Sequence, residues 1–194
     1  MPANGLELMD CNRSNVVGMK KVSYDLFRME NEIIEKCSIS ENRFHKVSST
    51  QWKNIYQTIA EKYADKTGTW KNGLHWANIK GYSPKSMKNF LGSFPVDGST
   101  WFYLLPQIIS GDEMVYFLID KGSDWYLGEK FWIFESYIPE LAEALNMLNQ
   151  TAFLDTGWAD YYIISKKFQW LIGFNHHDII SCVGEGLNLN CLKN

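Results

Sequence analysis

The sequence predicts a single α+β domain. Its expected parts are a mostly antiparallel sheet of about five or six strands, two N-terminal helices, and one helix inserted before a C-terminal three-strand meander. Three observations predict it. The run from Glu129 to Gly186 reads as an apolar strand, a proline-started helix, and three strands joined by two polar turns. Ahead of it, apolar residues recur at three- and four-residue steps from Leu26 to Tyr63, the period of a helix with one buried face. Eight Trp, ten Tyr, eleven Phe and 45% hydrophobic residues in 194 positions supply a large core. Each buried aromatic ring hides on the order of 150–250 Å².

The elements follow in order. Residues 1–18 are polar, Asn-rich and aperiodic, and are expected to form a weakly ordered leader to a domain of residues 19–194. Periodicity begins near Met19-Lys20-Lys21-Val22, so Met19 is a hypothetical natural start; a leader packed into the core would count against that. The first helix is expected from Asp25 to Lys36 with Ser23 as N-cap, its apolar stripe being Leu26, Met29, Ile33 and Cys37. Ser38 to Val47 reads as a connector. Ser49 or Thr50 caps a second helix through Ala64, with Trp52, Ile55, Tyr56, Ile59 and Tyr63 on one face. Glycine and proline punctuate 65–98, where His75 to Ile79 reads as a short strand and Lys85 to Leu91 as helical turns. Trp101 to Leu105 reads as a strand ended by Pro106, and Met114 to Ile119 as another, followed by a turn at Asp120-Lys121-Gly122 towards Trp125-Tyr126. Phe131 to Phe134 is the apolar strand of the closing unit. Pro139 starts its helix at no cost in hydrogen bonds, and Leu141, Leu145 and Leu148 line one side. The meander is Tyr161–Ile164, Phe168–Ile172 and Ile179–Val183, with turns at Ser165-Lys166-Lys167 and Asn175-His176-His177-Asp178.

Composition excludes several functions. A net charge of −3 gives no general attraction to phosphate backbones or anionic membranes, so neither nucleic acid nor membrane is an expected partner. No apolar run approaches the roughly 20 residues of a membrane span, and the N-terminus carries no apolar signal core. Cys11, Cys37, Cys182 and Cys191 contain no CxxC pair, which suits reduced thiols in a cytoplasm. No cofactor is expected.

The most suggestive chemistry is His176-His177-Asp178, since imidazole and carboxylate ligate zinc or iron. Neighbouring residues on a strand face opposite ways, so only His176 and Asp178 would share a side, with Cys182 farther along it. The simplest account of the tetrad is a turn whose Asn and Asp bend the backbone. Cys182 as a nucleophile has no local signature, and a strand cysteine is ordinarily a buried thiol. Glu129, Glu135, Glu140 and Glu143 offer carboxylate pairs, but two of them suit the dipole at a helix start. Val183-Gly184-Glu185-Gly186 lacks the following helix that a nucleotide loop needs, and Lys20-Lys21 and Lys166-Lys167 are isolated basic pairs. Trp70 and Trp76 belong to an aromatic-rich stretch that is either core or an exposed platform.

The text Phe131-Trp132-Ile133-Phe134-Glu135, then Asp160-Tyr161-Tyr162-Ile163-Ile164-Ser165-Lys166-Lys167-Phe168-Gln169-Trp170-Leu171 and Asn175-His176-His177-Asp178, resembles a family of small uncharacterised bacterial proteins. That family closes on a "YYIVSKKYEWLL…NHHD…G" pattern, and the resemblance covers the last third of the chain. In size, acidity and aromatic content such proteins are similar to immunity proteins of contact-dependent toxin systems, a likeness that carries no catalytic residue. The expectation is a non-catalytic cytoplasmic binding protein, an immunity-type inhibitor of a bacterial toxin domain. Its expected contacts are Trp70, Trp76 and an acidic edge of Asp112, Glu113, Asp120 and Asp124. The alternative is a metal-dependent hydrolase using His176 and Asp178.

Overall fold

Runs of β-branched and aromatic residues form the centre of one antiparallel sheet, because such side chains pack well on a pleated surface. A computed structural model describes residues 28–63, 89–120, 131–150 and 160–193. In chain order the elements are α1 (28–36), β1 (Phe44–Lys46), α2 (Ser49–Tyr63) and β2 (Phe90–Pro95). A 3₁₀ turn at Trp101–Leu104 then runs into α3 (Leu105–Ile108), followed by β3 (Met114–Asp120) and β4 (Phe131–Tyr137). The chain continues through α4 (Ile138–Gln150), β5 (Asp160–Ser165), β6 (Trp170–Asn175) and β7 (Ile179–Gly184), and a last 3₁₀ turn spans Asn190–Leu192. The strands make one seven-stranded sheet in the order β1-β4-β3-β5-β6-β7-β2, every neighbouring pair antiparallel. The domain is α+β, with a sheet slightly wider than five or six strands.

Register sorts the rings onto one face. Phe44, Phe134, Phe117, Tyr161 and Phe174 alternate onto the same side. Phe44 stacks on Phe134 at 5.1 Å, and Trp101 lies nearly parallel on Phe174 at 4.6 Å. Helix α4 touches β3, β4 and the Trp101 turn, and so covers this face, burying Leu141, Ala144, Leu145 and Leu148. Arg43 ties the opening turn of α4 to the sheet. Its guanidinium binds both oxygens of Glu140, reaches Asp112 at 3.0 Å and lies 4.0 Å above the Tyr137 ring. The α2 stripe holds as predicted, with Trp52, Ile55, Ile59 and Tyr63 buried.

Both sheet edges are blunted, which keeps an open sheet from pairing edge to edge with another chain. The outward N–H of Lys46 donates to the Glu30 carboxylate of α1, while Val47 N–H turns inward to Ile133 O at 2.9 Å. At the other edge Val96 N–H donates inward to Asp178 O at 2.9 Å, so by alternation the outward position at Pro95 is one that has no N–H. A bulge between Phe90 and Gly92 interrupts the rest of that strand.

Four expectations are corrected. The connector from Ser38 to Val47 contains β1, three residues too few to show alternation. Phe90 and Leu91 are not helical but begin β2. Trp101 to Leu105 is helical and not a strand. Asp97 winds the chain there, its carboxylate accepting Ser99 N–H at 2.8 Å and its carbonyl accepting Trp101 N–H at 2.9 Å. That winding buries both Trp101 and Phe102, which strand alternation would have separated. Pro106 consequently sits in the first turn of α3 and terminates nothing. The fourth correction is the first hairpin turn, which extends to Gln169 because Phe168 takes a left-handed φ of 53°. The predicted leader, the strand at His75–Ile79 and the turn after Asp120 lie outside the described residues. Among the described residues no helix is long and apolar enough to cross a membrane.

Candidate functional site

The tetrad closes the β6–β7 hairpin as its residue types predict. Asn175 is 2% exposed, and its Oδ1 accepts the backbone N–H groups of His177 at 3.1 Å and Ile179 at 3.2 Å. Asp178 takes a left-handed φ of 57°, and its N–H donates to Asn175 O at 3.0 Å. One side-chain amide thus replaces the ladder bonds that the turn interrupts.

The histidines are placed differently from the strand argument. Because they occupy a turn, their rings lie side by side at 4.0 Å instead of on opposite faces. His176 belongs with Asp160, whose Oδ1 lies 3.0 Å from His176 Nδ1 and accepts the His176 backbone N–H at 3.1 Å. The Asp178 side chain instead lies against Gly98, where any Cβ would collide with its carboxylate. His176 and Asp178 therefore face different partners. Among the described residues no three His, Cys, Asp or Glu side chains are grouped to hold a metal ion. Asp160 is the residue that sequence reasoning missed. No sequence signal marked it, since the β5–β6 register that sets Tyr161 against Phe174, and hence Asp160 beside Asn175, depends on the longer turn through Gln169 that the three-residue reading of Ser165–Lys167 does not give.

Cys182 lies fully buried in β7 between Ile172 and Gly92, and burial pushes its thiol up to about 12, so it stays protonated and inert. The acidic edge does not gather at one point. Asp112 pairs with Arg43, and Glu113 accepts the Ser165 hydroxyl at 2.7 Å. Asp120 stands at the opposite end of β3, roughly 20 Å away at strand rise. Trp70, Trp76 and Asp124 lie outside the described residues.

Among the described residues the exposed aromatic is Tyr103, 50% accessible. Its ring lies 4.5 Å from buried Phe102, next to Trp101, which is clamped on Phe174 and 6.4 Å from Tyr161. A surface ring is thereby mounted on the rigid core. The exposed Pro106 and Gln107 follow it in the chain, and no sequence signal marks this position, because the aromatic composition of Trp101–Leu105 favours a strand.

Neither the curated proteins nor the solved structures compared with the chain give a match. A protein-family profile matches residues 23–193, nearly the whole of the sequence, and the chain belongs to that family, DUF6756, a family of unknown function.

Proposed function

We propose that this chain is a non-catalytic binding protein of the bacterial cytoplasm that masks a protein partner, in the manner of toxin-immunity proteins. The observation that carries the reading is Tyr103, half exposed on a base of stacked rings. An aromatic side chain held rigid before contact loses little entropy on binding, which is why such residues anchor interfaces. The net charge of −3 supports a basic partner surface. The backbone role of Asn175 and Asp178 supports it as well, since these residues already have work in closing the hairpin. The test is capture from the source organism by the tagged chain at physiological salt. One partner should be retained, and Tyr103→Ser should lose it by tenfold or more, the scale of a truncated interface anchor of about 2 kcal/mol. Absence of any retained protein would end the proposal.

A second reading, metal-dependent hydrolysis at His176 and Asp178, is favoured by one observation: a carboxylate, Asp160, orients the His176 ring, as ligand and base histidines require. Metal analysis of the purified chain decides it, because a hydrolase of this kind needs stoichiometric zinc, iron or manganese.

A further inference from the structure

A second cluster lies on the sheet face opposite the stacked rings. Register places His45 of β1, Glu135 of β4 and Tyr116 of β3 side by side in one row. Met114, two positions before Tyr116, shares the face. The Lys166 side chain, from the turn after β5, reaches into this row. Its ammonium lies 2.8 Å from Glu135 Oε2, 3.5 Å from Met114 Sδ and 5.5 Å from the Tyr116 ring centre. Phe168 sets its ring 5.8 Å from Tyr116.

We propose that Glu135, Tyr116, Phe168 and Met114 form a recognition cage for a primary alkylammonium, and that its ligand is a lysine side chain of the protein partner, with Lys166 as the resident stand-in. The inference rests on the binding-protein reading above and gives the partner a second contact, on the sheet face opposite the stacked rings that carry Tyr103.

Two independent observations carry it. The first is the set of contacts made by Lys166. A carboxylate oxygen, an aromatic face within about 6 Å and a polarisable sulfur are the surroundings that favour an ammonium. All the charge contact falls on a single oxygen, Oε2, which His45 Nε2 also approaches at 3.4 Å. A point contact of that kind suits a compact ammonium better than a planar guanidinium, which seeks both carboxylate oxygens. The second is Phe168. A bulky side chain at φ 53° is strained, and turns of this kind ordinarily use Gly or Asn. The ring position gained, tilted at 39° to Tyr116 with centres 5.8 Å apart, gives the cage a second aromatic wall.

The stand-in is easily displaced. The Lys166 side chain is 35% exposed and comes from a turn, and ion pairs of that exposure hold weakly. Glu135, only 13% exposed, is the fixed member of the cage. A partner lysine that enters replaces one ammonium by another and leaves no buried charge unpaired, while Lys166 swings into water.

The test uses the full chain and n-butylammonium chloride, with n-butanol and sodium chloride as controls, followed through the backbone amides of Tyr116, Glu135 and Phe168. Lys166→Ala should bind butylammonium saturably, roughly fivefold tighter than the unaltered chain, the factor that an exposed ion pair of ordinary strength represents. Butanol should bind neither, and Glu135→Gln should abolish binding in both backgrounds. Lys166→Met, which keeps an unbranched stem of similar length and removes the charge, serves if the alanine variant does not fold, and the same rank order is expected. Butylammonium shifts that never saturate, or that survive Glu135→Gln, overturn the cage. Saturable binding without any captured protein leaves the cage and removes the partner reading; a captured partner without butylammonium binding does the reverse.

Discussion

The two hairpin turns of the meander are built from opposite materials. Both β5–β6 and β6–β7 need one residue with positive φ, and neither uses glycine there: Phe168 takes 53° and Asp178 takes 57°. At Asp178 the residue type fits, since Asp visits the left-handed region readily, and Asn175 supplies acceptors for the surrounding N–H groups. At Phe168 the type conflicts with the backbone, and what is gained is a ring against Tyr116 beside the Lys166–Glu135 pair. The first turn to form in chain order holds a side chain in place; the second only turns the chain. A residue type that conflicts with the backbone its turn needs points to function, and one that suits it points to folding.

Substitutions can break or sharpen that contrast. The largest effect belongs to Asn175→Ala, which strips two N–H groups of their acceptor at a buried site. A loss of about 2–3 kcal/mol in chemical denaturation is expected, largely restored by Asp, which keeps the oxygen. Asp178→Ala comes next, at about 1 kcal/mol, because alanine resists the left-handed region and brings no side-chain acceptor. Phe168→Asn should move the other way, gaining about 0.5 kcal/mol as the strain is relieved against a modest loss of ring contact, while the alkylammonium affinity of Lys166→Ala falls. Were Phe168→Asn to destabilise by more than Asp178→Ala, the contrast between the two turns would collapse.

The smallest effect at neutral pH lies beside the second turn, where Tyr161 pairs with Phe174. Burial, with the Asp160 charge adding to it, pushes the Tyr161 phenol up to about 12. The folded chain therefore holds that proton more tightly than the unfolded one, whose tyrosines release theirs near 10. Its contribution is complete below pH 10 and is lost as pH rises through about 12; the buried Cys182 thiol loses its own share over the same rise, starting from about pH 9, so the midpoint of denaturation should fall between about pH 9 and 12. The difference in tyrosinate absorbance between the unaltered chain and Tyr161→Phe reads this group among the ten tyrosines, and Tyr161→Phe should lessen the stability change above pH 10.

Much of this architecture was legible before any coordinates. The α2 stripe, the proline-started α4, the existence of strands β3 to β7 and the turn at Asn175–Asp178 follow from period and residue type, each local in the chain. The edge strands were not. Phe44-His45-Lys46 is too short to show alternation, and Phe90 to Pro95 carries a bulge and a proline that read as loop. Trp101 to Leu105 failed for a different reason. Its aromatic composition favours a strand, but the core has room for Trp101 and Phe102 on the same side, and only helical winding puts them there.

What the sequence alone determined is therefore the local grammar: which stretches wind, which extend, where the chain reverses, and that one aromatic core gathers them. Tertiary structure decided the assignments between distant residues. It joined His176 to Asp160 instead of Asp178, consumed Asp112 and Glu113 in contacts with Arg43 and Ser165, and placed Lys166 over Tyr116 against Glu135. The reason is physical: a period of two or 3.6 residues tells which way a side chain faces on its own element, while the neighbour it meets depends on strand order and register across the whole sheet.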